Sequence, residues 1–146
     1  MFGGGGPPFL AALVSKIGVQ AIPTGVPTLL DWQNPVYDYG DWFGAPGDAF
    51  LTVPAGVARV RVSASVSWGG VLGTLQTVEF LKNGASAIGL PLSISIPPLS
   101  VSPPIVSSII EVAPGNTLSL RVQHDSGVAE DVTAAATTYL GVEAAR

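Results

Sequence analysis

The chain reads as an all-β protein, a sandwich of short strands wound as a jelly roll, on three observations. Val57–Trp68 alternates with a strict period of two. Val60, Val62, Ala64, Val66 and Trp68 fall on one face, and Arg59, Arg61, Ser63, Ser65 and Ser67 on the other, the pattern of a strand with one buried side. Thr117–His124 repeats it, with Leu118, Leu120 and Val122 inward and Ser119, Arg121 and Gln123 outward. Turn signals recur about every 8–12 residues with no convincing interior helical period, and roughly eight to ten strands at that spacing suit a jelly roll.

The elements follow in order. Residues 1–8 form a Gly/Pro leader expected to be flexible. Phe9–Ile17 places Phe9, Leu13 and Ile17 at helical spacing, so a two-turn helix on an N-terminal arm is expected, in need of a partner because so short a helix is marginal alone. The domain boundary is set at Gly18: an anchor arm over 1–17 and a jelly roll over 18–146.

Gly18–Ile22 and Thr28–Trp32 are short strands around a Pro23–Pro27 turn, and Asn34–Asp48 is a loop rich in Asp, Gly and aromatics. Phe50–Val53 is a strand closed by Pro54-Ala-Gly56. Leu75–Lys82 ends in Asn83-Gly84, a strong hairpin signal, with Ala85–Leu90 as the return strand. The run Pro91–Pro104 holds five prolines and cannot be a central strand along its length, although Ser93–Ile96 can pair briefly. Ile105–Val112 and Thr137–Val142 are strands; Val128–Ala136 carries no clear pattern.

Composition narrows the function. Charged residues make up only 11% of the 146 residues, against roughly 25% in a typical soluble domain, and mean hydropathy is +0.49. Uncovered apolar surface is therefore expected to be buried between subunits. No apolar run reaches the ~18 residues of a membrane helix. A net charge of −4 without any basic run disfavours nucleic acid. With no cysteine, disulfides and thiolate metal sites are out. The N-terminus lacks the basic stretch of a secretory signal.

Several runs in order resemble the globular head of complement C1q and its tumour necrosis factor-like relatives. Phe50 with Pro54–Gly56 and the following strand resemble the family's opening motif. Phe80-Leu-Lys82-Asn83-Gly84 matches its second motif, Pro114-Gly115-Asn116-Thr117-Leu118 its third, and Thr138-Tyr139-Leu140-Gly141-Val142 its closing aromatic-x-Gly strand. The departures are Ala58, where an aromatic residue is expected, and Asn116, where the family has Asp. The opening Ala21-Ile-Pro-Thr-Gly25 with Val36-Tyr-Asp38 is similar to the version of this domain in bacteriophage structural proteins. The resemblance implies a homotrimeric, non-enzymatic virion protein, assembled in the host cytoplasm: a head fibre, capsid decoration or tail-associated knob. Its N-terminal arm, through Phe9, Leu13 and Ile17, would dock onto other virion proteins.

Candidate chemistry is sparse. His124 is the one histidine, and its neighbours Asp125 and Ser126 do not make a nucleophile–base geometry by adjacency. No cofactor is expected. Asp38, Asp41 and Asp48 share a Gly-rich loop and offer the hard oxygens that calcium takes, but not in the Asp-x-Asp-x-Asp-Gly pattern, and a solvated turn is the simpler reading. Trp32, Tyr37, Tyr39, Trp42 and Phe43 crowd into twelve residues. They suit a subunit interface or core first, and alternatively a tip that stacks on a host glycan or grips a receptor. Arg59 and Arg61 are expected to be exposed or paired with an acid.

Overall fold

The computed structural model describes residues 9–69, 76–86, 89, 92–95 and 105–145. In chain order the strands are β1 (Ala11–Ser15), β2 (Gln20–Ile22), β3 (Thr28–Leu29), β4 (Asn34–Tyr39), β5 (Phe50–Thr52), β6 (Arg59–Ser65), β7 (Gln76–Lys82), β8 (Leu92–Ser95), β9 (Ile105–Val106), β10 (Ile110–Glu111), β11 (Thr117–His124), β12 (Glu130–Val132) and β13 (Tyr139–Ala144). No helix occurs among the described residues, so none there could cross a membrane.

The strands form two main antiparallel sheets. A six-stranded sheet runs β10-β6-β13-β1-β4 with β9 also on β6, and a five-stranded sheet runs β3-β11-β7-β8 with β5 also on β11. A two-stranded β12-β2 ribbon forms a third sheet, joined to the segment after β6 by the Trp68–Val132 bridge. One core joins the sheets: Val14, Val62, Ala64 and Leu140 from the first, and Val78, Phe80, Leu118 and Leu120 from the second. Each large side chain so buried contributes about 1.5–3 kcal/mol.

The two alternating segments behave as read. Val60, Val62, Ala64, Val66 and Trp68 are buried, as are Leu118, Leu120 and Val122. Ser65, Ser67 and Ser119, expected outside, are buried too. The Ser67 amide donates to Thr138 Oγ1 at 2.9 Å, and its hydroxyl meets that of Thr137. Asn83 and Gly84 both take positive φ, as the Asn-Gly turn requires, and the Thr117 amide donates to Asn83 Oδ1 at 2.9 Å.

Five expectations need correction. Phe9–Ile17 is not a helix on an arm. Ala11–Ser15 is a strand in the interior of the six-stranded sheet, paired with β13 on one side and β4 on the other. The fold therefore begins before Gly18, inside the expected anchor arm. A spacing of four residues fits both periods: Phe9, Leu13 and Ile17 share a face of a strand as well as of a helix. The segment Asn34–Asp48 is not all loop, since Asn34–Tyr39 pairs along β1. β7 pairs with β8 on the side away from β11; of the expected return strand Ala85–Leu90, residues 87, 88 and 90 lie outside the described residues, as does most of the proline-rich run. Ile105–Val112 is broken in two at Ser107, whose hydroxyl accepts the Val62 amide at 2.9 Å and donates to the Ser108 carbonyl. The closing strand runs to Ala144.

Candidate functional site

The aromatic segment is divided by strand alternation and turn geometry. Trp32, Trp42 and Phe43 are buried in the core, where they offer no face to a ligand. Tyr37 and Tyr39, two residues apart on β4, point to solvent and stack at 5.4 Å with 23° between their rings. Phe9 extends this row, its ring 6.4 Å from Tyr39. Trp42→Ala should therefore destabilise the fold by about 3–5 kcal/mol, whereas Tyr39→Ala, at an exposed position, should lower the melting temperature far less. Thermal denaturation of the two variants side by side checks this.

The acidic loop is used internally. Asp38 accepts the amides of Trp42 and Phe43 at 2.8 and 3.0 Å, and the Trp42 indole donates to the Tyr39 carbonyl at 3.0 Å. Asp48 accepts the Ala45 amide at 3.0 Å. Gly40 completes the turn with φ of 118°; a Cβ there would meet Leu10 and the Trp42 indole at 3.0 and 3.1 Å. Among the described residues no three His, Asp or Glu side chains converge on a point that could hold a metal ion.

His124 is buried at the far end of β11. The Ser126 amide donates to Nδ1 at 3.3 Å, so the ring proton sits on Nε2 and is given to the Ile22 carbonyl at 2.7 Å. Its ring lies edge-on to Trp68 at 5.5 Å, and Trp68 donates to Gln76 Oε1 at 2.6 Å. The Ser126 hydroxyl is turned to the Val128 carbonyl. Every named group serves the fold, and none is set to activate a nucleophile.

The notable surface is the solvent side of the six-stranded sheet. Neighbouring residues across the strands are Tyr37, Leu13, Gly141, Ser63 and Val106. They line a cleft of about 270 Å³ together with Arg61 and Glu143. Gly141 forms its floor: a Cβ there would meet Ser63 Oγ at 3.1 Å and Leu13 Cδ1 at 3.3 Å. Arg61 pairs with Glu143 across the strands at 3.6 Å, an exposed pair worth little to stability. Phe9, Tyr39 and Val106 stand more than half exposed along this side.

Comparison with solved structures follows from this topology. Murine APRIL at pH 8.5 superposes with a TM-score of 0.63 at 14% identity, over 94% of this chain and 100% of that one. The same protein at pH 5.0 gives 0.61 at 13% identity, over 94% and 100%. Eiger TNF from S. frugiperda gives 0.58 at 11% identity, over 96% and 94%. The fold is a TNF-like jelly roll. No protein-family model matches the chain, and no curated protein matches it in sequence.

One buried site went unread in the sequence. Lys16, directly after β1, is 5% exposed. Its ammonium donates to Gln20 Oε1, the Asp31 carbonyl and Asp31 Oδ1 at 2.8, 2.6 and 2.7 Å, and stands 5.7 Å from the centre of the Trp32 ring. Three acceptors match its three protons. Burial works to raise the Asp31 carboxyl, but hydrogen bonds from Lys16 and Gln33 and the Lys16 charge outweigh it and hold the group below the ordinary carboxylate range. On the second sheet, burial is likewise outweighed at Glu79 by hydrogen bonds from Ser86 and Arg121 and by the Arg121 charge.

Proposed function

We propose that the chain is a non-enzymatic homotrimeric display module serving as a virion structural protein, in the manner of a head fibre, capsid decoration or tail-associated knob. The observation that carries the trimer is the solvent side of the six-stranded sheet. Phe9, Tyr37, Tyr39 and Val106 are exposed there, on a chain with only 11% charged residues. A connected aromatic row of this kind is what a subunit contact covers. Three copies held rigidly would turn a weak surface interaction into a strong one through effective concentration.

The virion setting rests on the resemblance of Ala21–Gly25 and Val36–Asp38 to phage structural proteins. Docking onto other virion proteins is assigned to the leader rather than to Phe9, Leu13 and Ile17 as a unit, because Phe9 belongs to the aromatic row and Leu13 lies on a strand paired on both sides. A glycan- or receptor-binding tip built on Trp32–Phe43 is not favoured, since Trp32, Trp42 and Phe43 are core residues.

Sedimentation equilibrium should return three times the 14.8 kDa chain mass; a monomer at micromolar concentration would remove the assembly reading. Immunogold labelling of purified particles tests the virion setting separately: label on particles supports it, and label confined to the soluble fraction rejects it.

A further inference from the structure

We infer that the Asn83-Gly84 turn is a latent self-modification site. A clasp to Thr117 holds it inert in the folded chain, and it converts to an aspartyl or isoaspartyl linkage when that clasp opens. The inference is independent of the trimer reading, since it concerns the end of β7 where it meets β11.

The chain has three asparagines, Asn34, Asn83 and Asn116. The side-chain amide of an asparagine is attacked by the next backbone nitrogen, so the residue that follows decides its reactivity. Asn34 precedes Pro35, which has no N–H to give up. Asn116 precedes Thr117, whose branched Cβ crowds the approach. Asn83 precedes a glycine, and both residues of the turn are exposed. A Cβ on Gly84 would meet nothing within 4 Å, so water has open access. Among the described residues no group accepts the Gly84 amide hydrogen.

The reaction needs only water besides the turn itself. The Gly84 nitrogen bonds to Asn83 Cγ as the Cγ–Nδ2 bond breaks. Nδ2 leaves as ammonia, carrying the proton that the Gly84 nitrogen gives up. Water then opens the five-membered imide at one of its two carbonyls. Cleavage between nitrogen and Cγ leaves an aspartyl residue in a normal backbone. Cleavage between nitrogen and the main-chain carbonyl carbon routes the chain through the side chain, an isoaspartyl linkage.

The folded turn opposes the first step. Asn83 Oδ1 accepts the Thr117 amide at 2.9 Å, and the Asn83 amide donates to the Thr117 carbonyl at 2.8 Å. Behind this clasp Lys82 and Ala85 exchange two backbone bonds at 2.9 and 3.1 Å. The ring closes only with Cγ brought over the Gly84 nitrogen, and a side chain so placed no longer reaches across to Thr117. Conversion therefore waits on local opening.

The two products differ in what they do to the fold. Asp tolerates the positive φ of position 83, and its carboxylate still accepts the Thr117 amide, now with charge assistance. An isoaspartyl linkage adds a carbon to the main chain of a two-residue turn, whose length sets the register. It breaks the Lys82–Ala85 pair and frees the end of β7 from β11, and it does so irreversibly.

The test incubates the full-length chain in warm, mildly alkaline buffer, native and in concentrated urea. Peptide mapping by mass spectrometry follows the exchange of NH for O at each asparagine. In urea Asn83 should convert ahead of Asn34 and Asn116 and give both products, and Gly84→Ala should slow it. The native chain should convert at Asn83 roughly tenfold or more slowly. After refolding, the aspartyl form and the Asn83→Asp variant should melt within a few degrees of the parent, and the isoaspartyl form should melt lower. Conversion in urea no faster at Asn83 than at Asn116, or unaffected by Gly84→Ala, would overturn the site. Equal native and urea rates would overturn the clasp. An isoaspartyl form that melts with the parent would overturn its effect on β7.

Discussion

A chain that starts at Gly18 will not fold. The truncation removes β1, which hydrogen-bonds to β13 through Ala11–Ser15 on one side and to β4 on the other. Its loss strands two rows of backbone donors and acceptors in the middle of a sheet, and a buried amide without a partner costs about 1–3 kcal/mol. It also takes Ala12 and Val14 out of the core and removes the cation that Asp31 holds. Together these exceed the margin of roughly 5–15 kcal/mol of a typical domain. The truncated protein should be insoluble or lack a cooperative thermal transition. Deletion of residues 1–8 alone, which touches neither β1 nor Phe9, should keep the parent transition. A chain cut back to Gly18 that melts cooperatively within a few degrees of the parent would refute the interior placement of β1.

Asp31→Ala should be the most damaging change near the surface. The Lys16 ammonium would remain buried, keeping Gln20 Oε1 and the Asp31 backbone carbonyl but losing its counter-charge. Removing one partner of a fully buried pair costs about 3–5 kcal/mol, and because the Asp31 side chain is 42% exposed the cost here sits at the low end of that range. With two neutral acceptors remaining, about 3 kcal/mol is expected, or roughly 6–12 °C in melting temperature for a chain of this size. Lys16→Met combined with Asp31→Ala should recover most of it, because a thioether needs no counter-charge. Equal melting temperatures for the single and double variants would contradict this account.

The pair also sets a direction for pH. The Asp31 carboxyl is held below its ordinary value in the fold, so its contribution is fully present above the unfolded carboxylate value. It is lost as pH falls through the lower, folded value. Glu79 acts in the same sense. Stability of the parent should fall on acidification below about pH 4, and Asp31→Ala should flatten part of that fall, as urea titrations across the range would register.

Lys16 also explains why β1 is hard to read locally. Ala12 and Val14 on one face, with Leu13 and Ser15 on the other, follow strand alternation, but the next core-side residue is a lysine. A charge on the inward face disguises the pattern unless its acceptors are known. Those acceptors come from Gln20 and Asp31, one in the next strand and the other fifteen residues along the chain. The edge strand Asn34–Tyr39 is obscured differently. It is exposed on nearly its whole length and carries Pro35, so it shows neither a buried face nor a clean run. Its pairing with β1 is a long-range fact.

The all-β class, the alternating strands β6 and β11, the Asn83-Gly84 turn and the apolar residues those strands bury were determined by the sequence alone. Each depends on side chains within a few positions of one another, and the period of two assigns their faces without reference to the rest of the chain. The tertiary structure decided the place of β1 in the sheet and the division of the aromatic segment into a core group and the exposed Tyr37–Tyr39 pair. It also decided the cleft over Gly141, which is assembled from β1, β4, β6, β9 and β13. Those features require strands far apart in sequence to be set side by side, and no local pattern encodes which strand will be the neighbour.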